Sequence, residues 1–151
     1  MHIATNSEVI DISLEVKTAE LAKNFSKILK KGDIVFFHGE IGVGKTTFIR
    51  HLVNHLQTNN YLNQTEVTSP TFNLLNEYQV NEIKVNHYDL YRLKSIEEIK
   101  NLDLFENNKN TITLIEWPQI IKVKPENLIE LVFKYEDDYK KRSVKIKGLD
   151  L

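Results

Sequence analysis

The chain has 151 residues, a formal charge of −1, 41% hydrophobic and 27% charged residues, and no cysteine. That length suits one domain spanning 1–151, with a core that takes roughly 68–70% of the unfolded surface out of water. Absence of cysteine excludes disulfides, thiolate metal centres and a cysteine nucleophile, and the near-zero charge argues against a protein that grips nucleic acid alone. No run approaches the ~18 apolar residues of a membrane span. Residues 1–6 have neither the basic nor the apolar region of an export signal, so a cytoplasmic protein is expected.

Taken in chain order, Ile12, Leu14 and Val16 alternate with polar residues and predict a strand over 11–16. Thr18 is a candidate N-cap for a helix carrying Leu21, Ala22, Phe25, Ile28 and Leu29, with Gly32 placed to stop it. The run Ile34, Val35, Phe36, Phe37 reads as a strand buried on both faces. After a glycine-rich turn, Phe48, Ile49, Leu52, Val53 and Leu56 fit one face of a second helix. Residues 59–69 read as a loop closed by Pro70. Strands follow over 72–80 and 83–88, then a capping box at Ser95 and Glu98. A strand over 111–116 and a hairpin of 128–135 with 143–147 complete the chain. Strand–helix alternation followed by a β-rich second half predicts an α/β sandwich with a mixed sheet.

Gly39, Gly42, Gly44, Lys45 and Thr46 carry a full G-x-x-x-x-G-K-[ST] motif between the predicted buried strand and the second helix. Glycines let the turn adopt positive φ and aim backbone N–H groups at anionic oxygens. A helix starting near Lys45 adds its positive end. Lys45 can then reach β- and γ-phosphates, and the Thr46 hydroxyl can ligate Mg²⁺.

Such a loop needs an acid at the end of a second core strand, and Glu116 closes the apolar run 111–116. It could hold Mg²⁺ or orient a water, or simply be an exposed strand-end glutamate. Asp89 is either a second acid near the metal or a turn aspartate. His87 reads as packed or hydrogen-bonded, since no second ligand sits at metal spacing. Ser69 and Thr71 could sense a γ-phosphate as switch segments do; Pro70 between them could equally just stiffen a strand entry. Spacing alone places Trp117 in the core, and Arg142 on a solvated hairpin edge.

A GTPase is disfavoured: no aspartate is followed three residues later by glycine, and Asn108, Lys109, Asn110 and Thr111 lack the aspartate of the guanine reader. The three arginines, Arg50, Arg92 and Arg142, are too scattered for a two-substrate kinase. A compact Mg-nucleotide ATPase remains, with a small-molecule kinase or a nucleotide-dependent scaffold as alternatives.

The strings G-E-I-G-V-G-K-T-T-F-I-R, T-S-P-T-F-N-L-L-N-E-Y, H-Y-D-L-Y-R-L and L-I-E-W-P, in that order and spacing, resemble the bacterial TsaE (YjeE) family over residues 18–142. The resemblance implies a three-layer α/β/α phosphate-loop fold with a mixed, mainly parallel central sheet, and the ATPase component of the machinery that makes N6-threonylcarbamoyladenosine on ANN-decoding tRNAs. Its implied partner is a TsaB–TsaD heterodimer, with tRNA met only indirectly through that complex. It implies that Ile41, Gly42, Val43, Gly44, Lys45, Thr46 and Thr47 embrace ATP and that Thr46 and Glu116 bind Mg²⁺. Lys45, Asp89 and Glu116 become the catalytic set. Thr18 and Arg142 resemble nucleotide-contacting residues, and Trp117 moves from core toward a functional or partner-facing role.

Overall fold

The computed structural model describes residues 8–106 and 109–149. Its elements are β1 (Val9–Asp11), α1 (Glu15–Ser26), β2 (Ile34–His38), α2 (Lys45–Asn59), β3 (Leu75–Val80) and β4 (Ile83–Asp89). They continue with α3 (Ile96–Lys100), β5 (Thr111–Glu116), a 3-10 turn (Pro118–Ile120), β6 (Leu128–Glu136) and β7 (Lys141–Lys147). Residues 1–6, read above for an export signal, and Asn108 of the failed guanine reader lie outside the described residues.

The strands form one seven-stranded sheet in the order β1-β7-β6-β2-β5-β4-β3. Its four central strands, β6, β2, β5 and β4, run parallel. Antiparallel strands flank them on both sides. This is the mixed α/β sheet that the sequence predicts. Ile34, Val35, Phe36 and Phe37 are all buried, because β2 has a parallel neighbour on each side and both of its faces are covered. An unbroken apolar run is the signature of such a strand.

Helices α1 and α2 cover one face. At the centre of that core Phe48 places its ring 5.8 Å from Phe25, 5.9 Å from Phe37 and 5.9 Å from Phe133, centroid to centroid. The first turn of α2 is thereby fixed to the sheet one turn beyond the glycine-rich loop. The opposite face is a thinner layer in which Ile34, Phe36, Tyr88 and Ile115 pack under Leu90, Leu104, Ile99 and Phe105. Ser95 caps α3 as expected, its hydroxyl oxygen accepting the Glu98 N–H at 3.3 Å.

The first predicted strand is corrected. Strand β1 stops at Asp11, whose carboxylate accepts the Ser13 N–H at 2.8 Å and turns the chain. Leu14 then occupies the N-cap of α1. Leu14 and Val16 are 63% and 66% exposed, and only Ile12 of the alternating trio is buried; the alternation imitates a strand across a turn and a helix start. Thr18 is therefore not an N-cap. It lies inside α1 on the buried face. The helix ends at Ser26, and Ile28 and Leu29 pack against the core from the turns that follow. The strand expected from 72 begins at Leu75, since Leu74 takes φ +69° and Phe72 projects outward, 81% exposed.

Candidate functional site

Parallel pairing aligns the carboxyl ends of β2, β5 and β4. Phe37 is opposite Glu116, and Glu116 is opposite Asp89. Both carboxylates therefore stand at the edge of the sheet where open α/β folds take ligands, beside the loop that leaves β2.

That loop depends on two glycines in particular. A Cβ on Gly39, at φ +150°, would lie 2.8 Å from Val43 Cγ1 and 3.0 Å from the Phe133 carbonyl oxygen. Gly44, at φ +115°, is the N-cap of α2 and provides no side-chain cap, leaving the first amides of the helix to an anionic ligand. The Val43 side chain is fully buried, and its N–H donates to the Glu40 carbonyl oxygen at 3.3 Å. Val43 thus anchors the loop in the core.

Lys45 is 4% exposed. Its ammonium donates to the Gly39 carbonyl oxygen and lies 3.6 Å from the centroid of the Trp117 ring. Burial lowers the Lys45 pKa, with the Glu116 and Asp89 carboxylates acting in the opposite direction. The Thr46 hydroxyl donates to Glu116 Oε1 at 3.2 Å, and Glu116 Oε2 is 2.7 Å from His87 Nε2. Asp89 Oδ1 accepts the Tyr91 N–H at 2.9 Å, while the hydroxyls of Ser69 and Thr71 both lie 3.5 Å from Oδ2. Burial raises the Asp89 pKa and the Glu116 charge adds to it; the Tyr91 N–H, His87 and Lys45 oppose them.

These groups surround a cleft of about 320 Å³. Of the residues singled out in the sequence, Ile41, Gly42, Gly44, Lys45, Thr46, Thr47, Ser69, Thr71, Asp89, Glu116, Trp117 and Arg142 line it together. Thr18 and Val43 do not. The Thr18 hydroxyl donates to the Ile12 carbonyl oxygen at 3.4 Å beneath α1. Arg142 comes in from β7, donating to the Ser13 carbonyl oxygen at 3.0 Å, so it is not simply a solvated hairpin charge. Trp117 leaves the core reading behind: at φ +58° it turns the chain after β5 and packs its ring against Tyr91, centroids 4.8 Å apart and planes inclined by 54°. Sequence reasoning missed Tyr91 as a wall of the cleft and His87 as the partner of Glu116. The available signal was the i, i+2 spacing of His87, Asp89 and Tyr91. In a strand, that spacing puts His87 and Asp89 on one face.

Chemically the cleft offers a cation and backbone amides for phosphate, and hydroxyl and carboxylate oxygens for a hard cation. A family model described as "Threonylcarbamoyl adenosine biosynthesis protein TsaE" matches residues 12–144. The chain belongs to the TsaE family. A tRNA threonylcarbamoyladenosine biosynthesis protein TsaE from Rickettsia bellii is 44% identical over 137 residues, 90% of this chain and 92% of the relative. Its counterpart of the same name from Borreliella burgdorferi is 34% identical over 130 residues, 83% of this chain and 90% of the relative. The crystal structure of Bacillus subtilus YdiB shares the fold, with a TM-score of 0.68 over 99% of this chain and 90% of that one, at 22% identity.

One consequence of this TsaE-family cleft is measurable in the free protein. Because burial raises the Asp89 pKa, the folded state binds its proton more tightly than the unfolded chain does. The associated stability is fully present below the unfolded value of 3.8 and is lost as pH rises through the folded pKa. An asparagine can keep the bond from Tyr91 N–H and carries no charge. Asp89→Asn is therefore expected to be more stable than the parent at pH 7, with the gap closing toward pH 3 in urea melts. A variant less stable at neutral pH would contradict this.

Proposed function

We propose that this chain is an ATPase: it binds ATP with Mg²⁺ in the cleft, hydrolyses it, and serves the biosynthesis of N6-threonylcarbamoyladenosine on ANN-decoding tRNAs. The observation that carries the reading is the meeting of Lys45 and Thr46, from the glycine-rich loop, with Glu116 and Asp89 at the ends of β5 and β4. The whole chain acts as one phosphate-loop unit. Loop amides and Lys45 bind the phosphates, and Arg142 and Thr47 flank the nucleotide. Mg²⁺ takes one or two carboxylates together with phosphate oxygens and water, and the Thr46 hydroxyl beside Glu116 Oε1 is an all-oxygen donor pair of that kind. Such an ion needs no cage of three ligating side chains, and none occurs among the described residues. When bound, it would neutralise charge building on the phosphates. Asp89 orients the attacking water or the ion's hydration shell, and Ser69 and Thr71, bonded to each other at 2.7 Å, report the phosphate state to the surface.

Membership of the TsaE family supports action within an assembly of the other proteins of that biosynthesis, with a TsaB–TsaD-type heterodimer as partner and tRNA reached through it. No helix among the described residues is long and apolar enough to cross a membrane, and a cytoplasmic place of action accords with a tRNA task. The test is reconstituted threonylcarbamoylation with the heterodimer, with and without this chain, using ATP or a non-hydrolysable analogue in the step that this chain serves. Hydrolysis should be slow alone and rise with the partners, and repeated rounds of modification should need ATP. Repeated rounds supported equally by the analogue would favour a scaffold; phosphate transfer to an acceptor would favour a kinase.

A further inference from the structure

Among the described residues, His87 is the fully buried ionisable side chain to which the function above gives no task. It sits on β4, two residues before Asp89 and opposite Leu114 of β5. Residues two apart share a sheet face, so its ring is the diagonal neighbour of Glu116. Nε2 lies 2.7 Å from Glu116 Oε2, with side-chain exposures of 0% and 3%. A carboxylate only accepts, so Nε2 carries the hydrogen and donates it.

The other ring nitrogen, Nδ1, is buried and meets no protein hydrogen-bond partner among the described residues. A residue present for packing alone would be better served here by an aliphatic side chain, since a buried polar atom without a partner is a standing cost. The Val85 side chain, two residues back on the same strand face, is aliphatic and equally buried. The histidine is retained at the expense of its own Nδ1, and what it gains is a single bond, to Glu116.

We infer that His87 is a positioning residue for Glu116. By engaging Oε2 it fixes the carboxylate so that Oε1 faces the Thr46 hydroxyl, to which it is bonded at 3.2 Å, and so presents one defined oxygen to the Mg²⁺ of the incoming nucleotide. This inference rests on the nucleotide-binding reading above. Residues that orient a metal's ligands typically change metal affinity or activity by about 10–100-fold when removed.

The test titrates Mg²⁺ against binding of a fluorescent ADP analogue to the full chain, alongside ATP turnover and thermal melting. His87→Leu should raise the Mg²⁺ needed for half-maximal effect by at least about 10-fold, while binding of the analogue without Mg²⁺ stays near the parent value. His87→Gln, whose amide nitrogen can stand near Nε2, should recover most of the loss; His87→Asn, too short to reach Glu116, should not. A folded His87→Leu with the parent's Mg²⁺ dependence overturns the inference. If that variant does not fold, equal Mg²⁺ dependence in His87→Gln and His87→Asn overturns it instead. A parent chain whose nucleotide binding ignores Mg²⁺ altogether would bring down the function proposed above, and this inference with it. A parent that depends on Mg²⁺, with His87 variants that keep the parent's dependence, brings down the inference alone.

Discussion

Lys45→Ala should lower ATP turnover by at least about 10²- to 10³-fold, the range found when one preorganised donor to a developing negative charge is removed. Among the described residues, two cationic side chains line the cleft, Lys45 and Arg142, and Lys45 is the one between the loop and the two carboxylates. Its ammonium is already desolvated and held by the Gly39 carbonyl oxygen and the Trp117 ring, beside the place where the phosphates are proposed to bind. The substitution should not unfold the chain. Burial disfavours the charged lysine, and alanine is a good helix residue for the first turn of α2. Turnover within threefold of the parent, in a variant whose melting is unchanged, would remove Lys45 from the site.

Glu116→Gln should reduce turnover by about 10²-fold and raise the Mg²⁺ requirement, while the fold survives. The size follows from losing the carboxylate oxygen that would accompany Thr46 at the proposed Mg²⁺ site. The amide oxygen can still accept from His87, and the amide nitrogen can meet the Thr46 hydroxyl, so no buried group loses its partner. Glu116→Ala is the informative contrast. It strands His87, which is fully buried, and should cost about 1–3 kcal/mol of stability in addition to the activity. Chemical denaturation of both variants separates the two effects. Equal destabilisation by Gln and Ala would mean that the hydrogen bonds to Glu116 do not matter to folding.

Much of this was legible in the residues because the strand–loop–helix unit is over-determined. A buried apolar run, three spaced glycines and a periodic helix face each require the others, and β2, the loop and α2 stand where the motif puts them. The run 111–116 was equally plain, ending on the acid that closes β5. The contact between Glu116 and His87 was hidden for a different reason. It depends on the parallel register of β4 against β5, a long-range pairing that neither strand's sequence states. The start of α1 was obscured because Asp11 and Ser13 make a turn within an alternating apolar pattern. Thr18 suffered from the same error. A polar residue ahead of an apolar face looks like a cap, yet its hydroxyl reaches back to Ile12 from inside the helix.

The chain contains a single tryptophan, and it is Trp117, which faces the cleft with an ammonium 3.6 Å above its ring. All indole emission from this molecule therefore originates at one spot, and that spot is where the phosphates are proposed to arrive. A charge held against an indole ring alters its excited state, so moving Lys45 toward a ligand would register as a change in colour or brightness. The protein carries its own optical probe, with no label to add and no second indole to subtract.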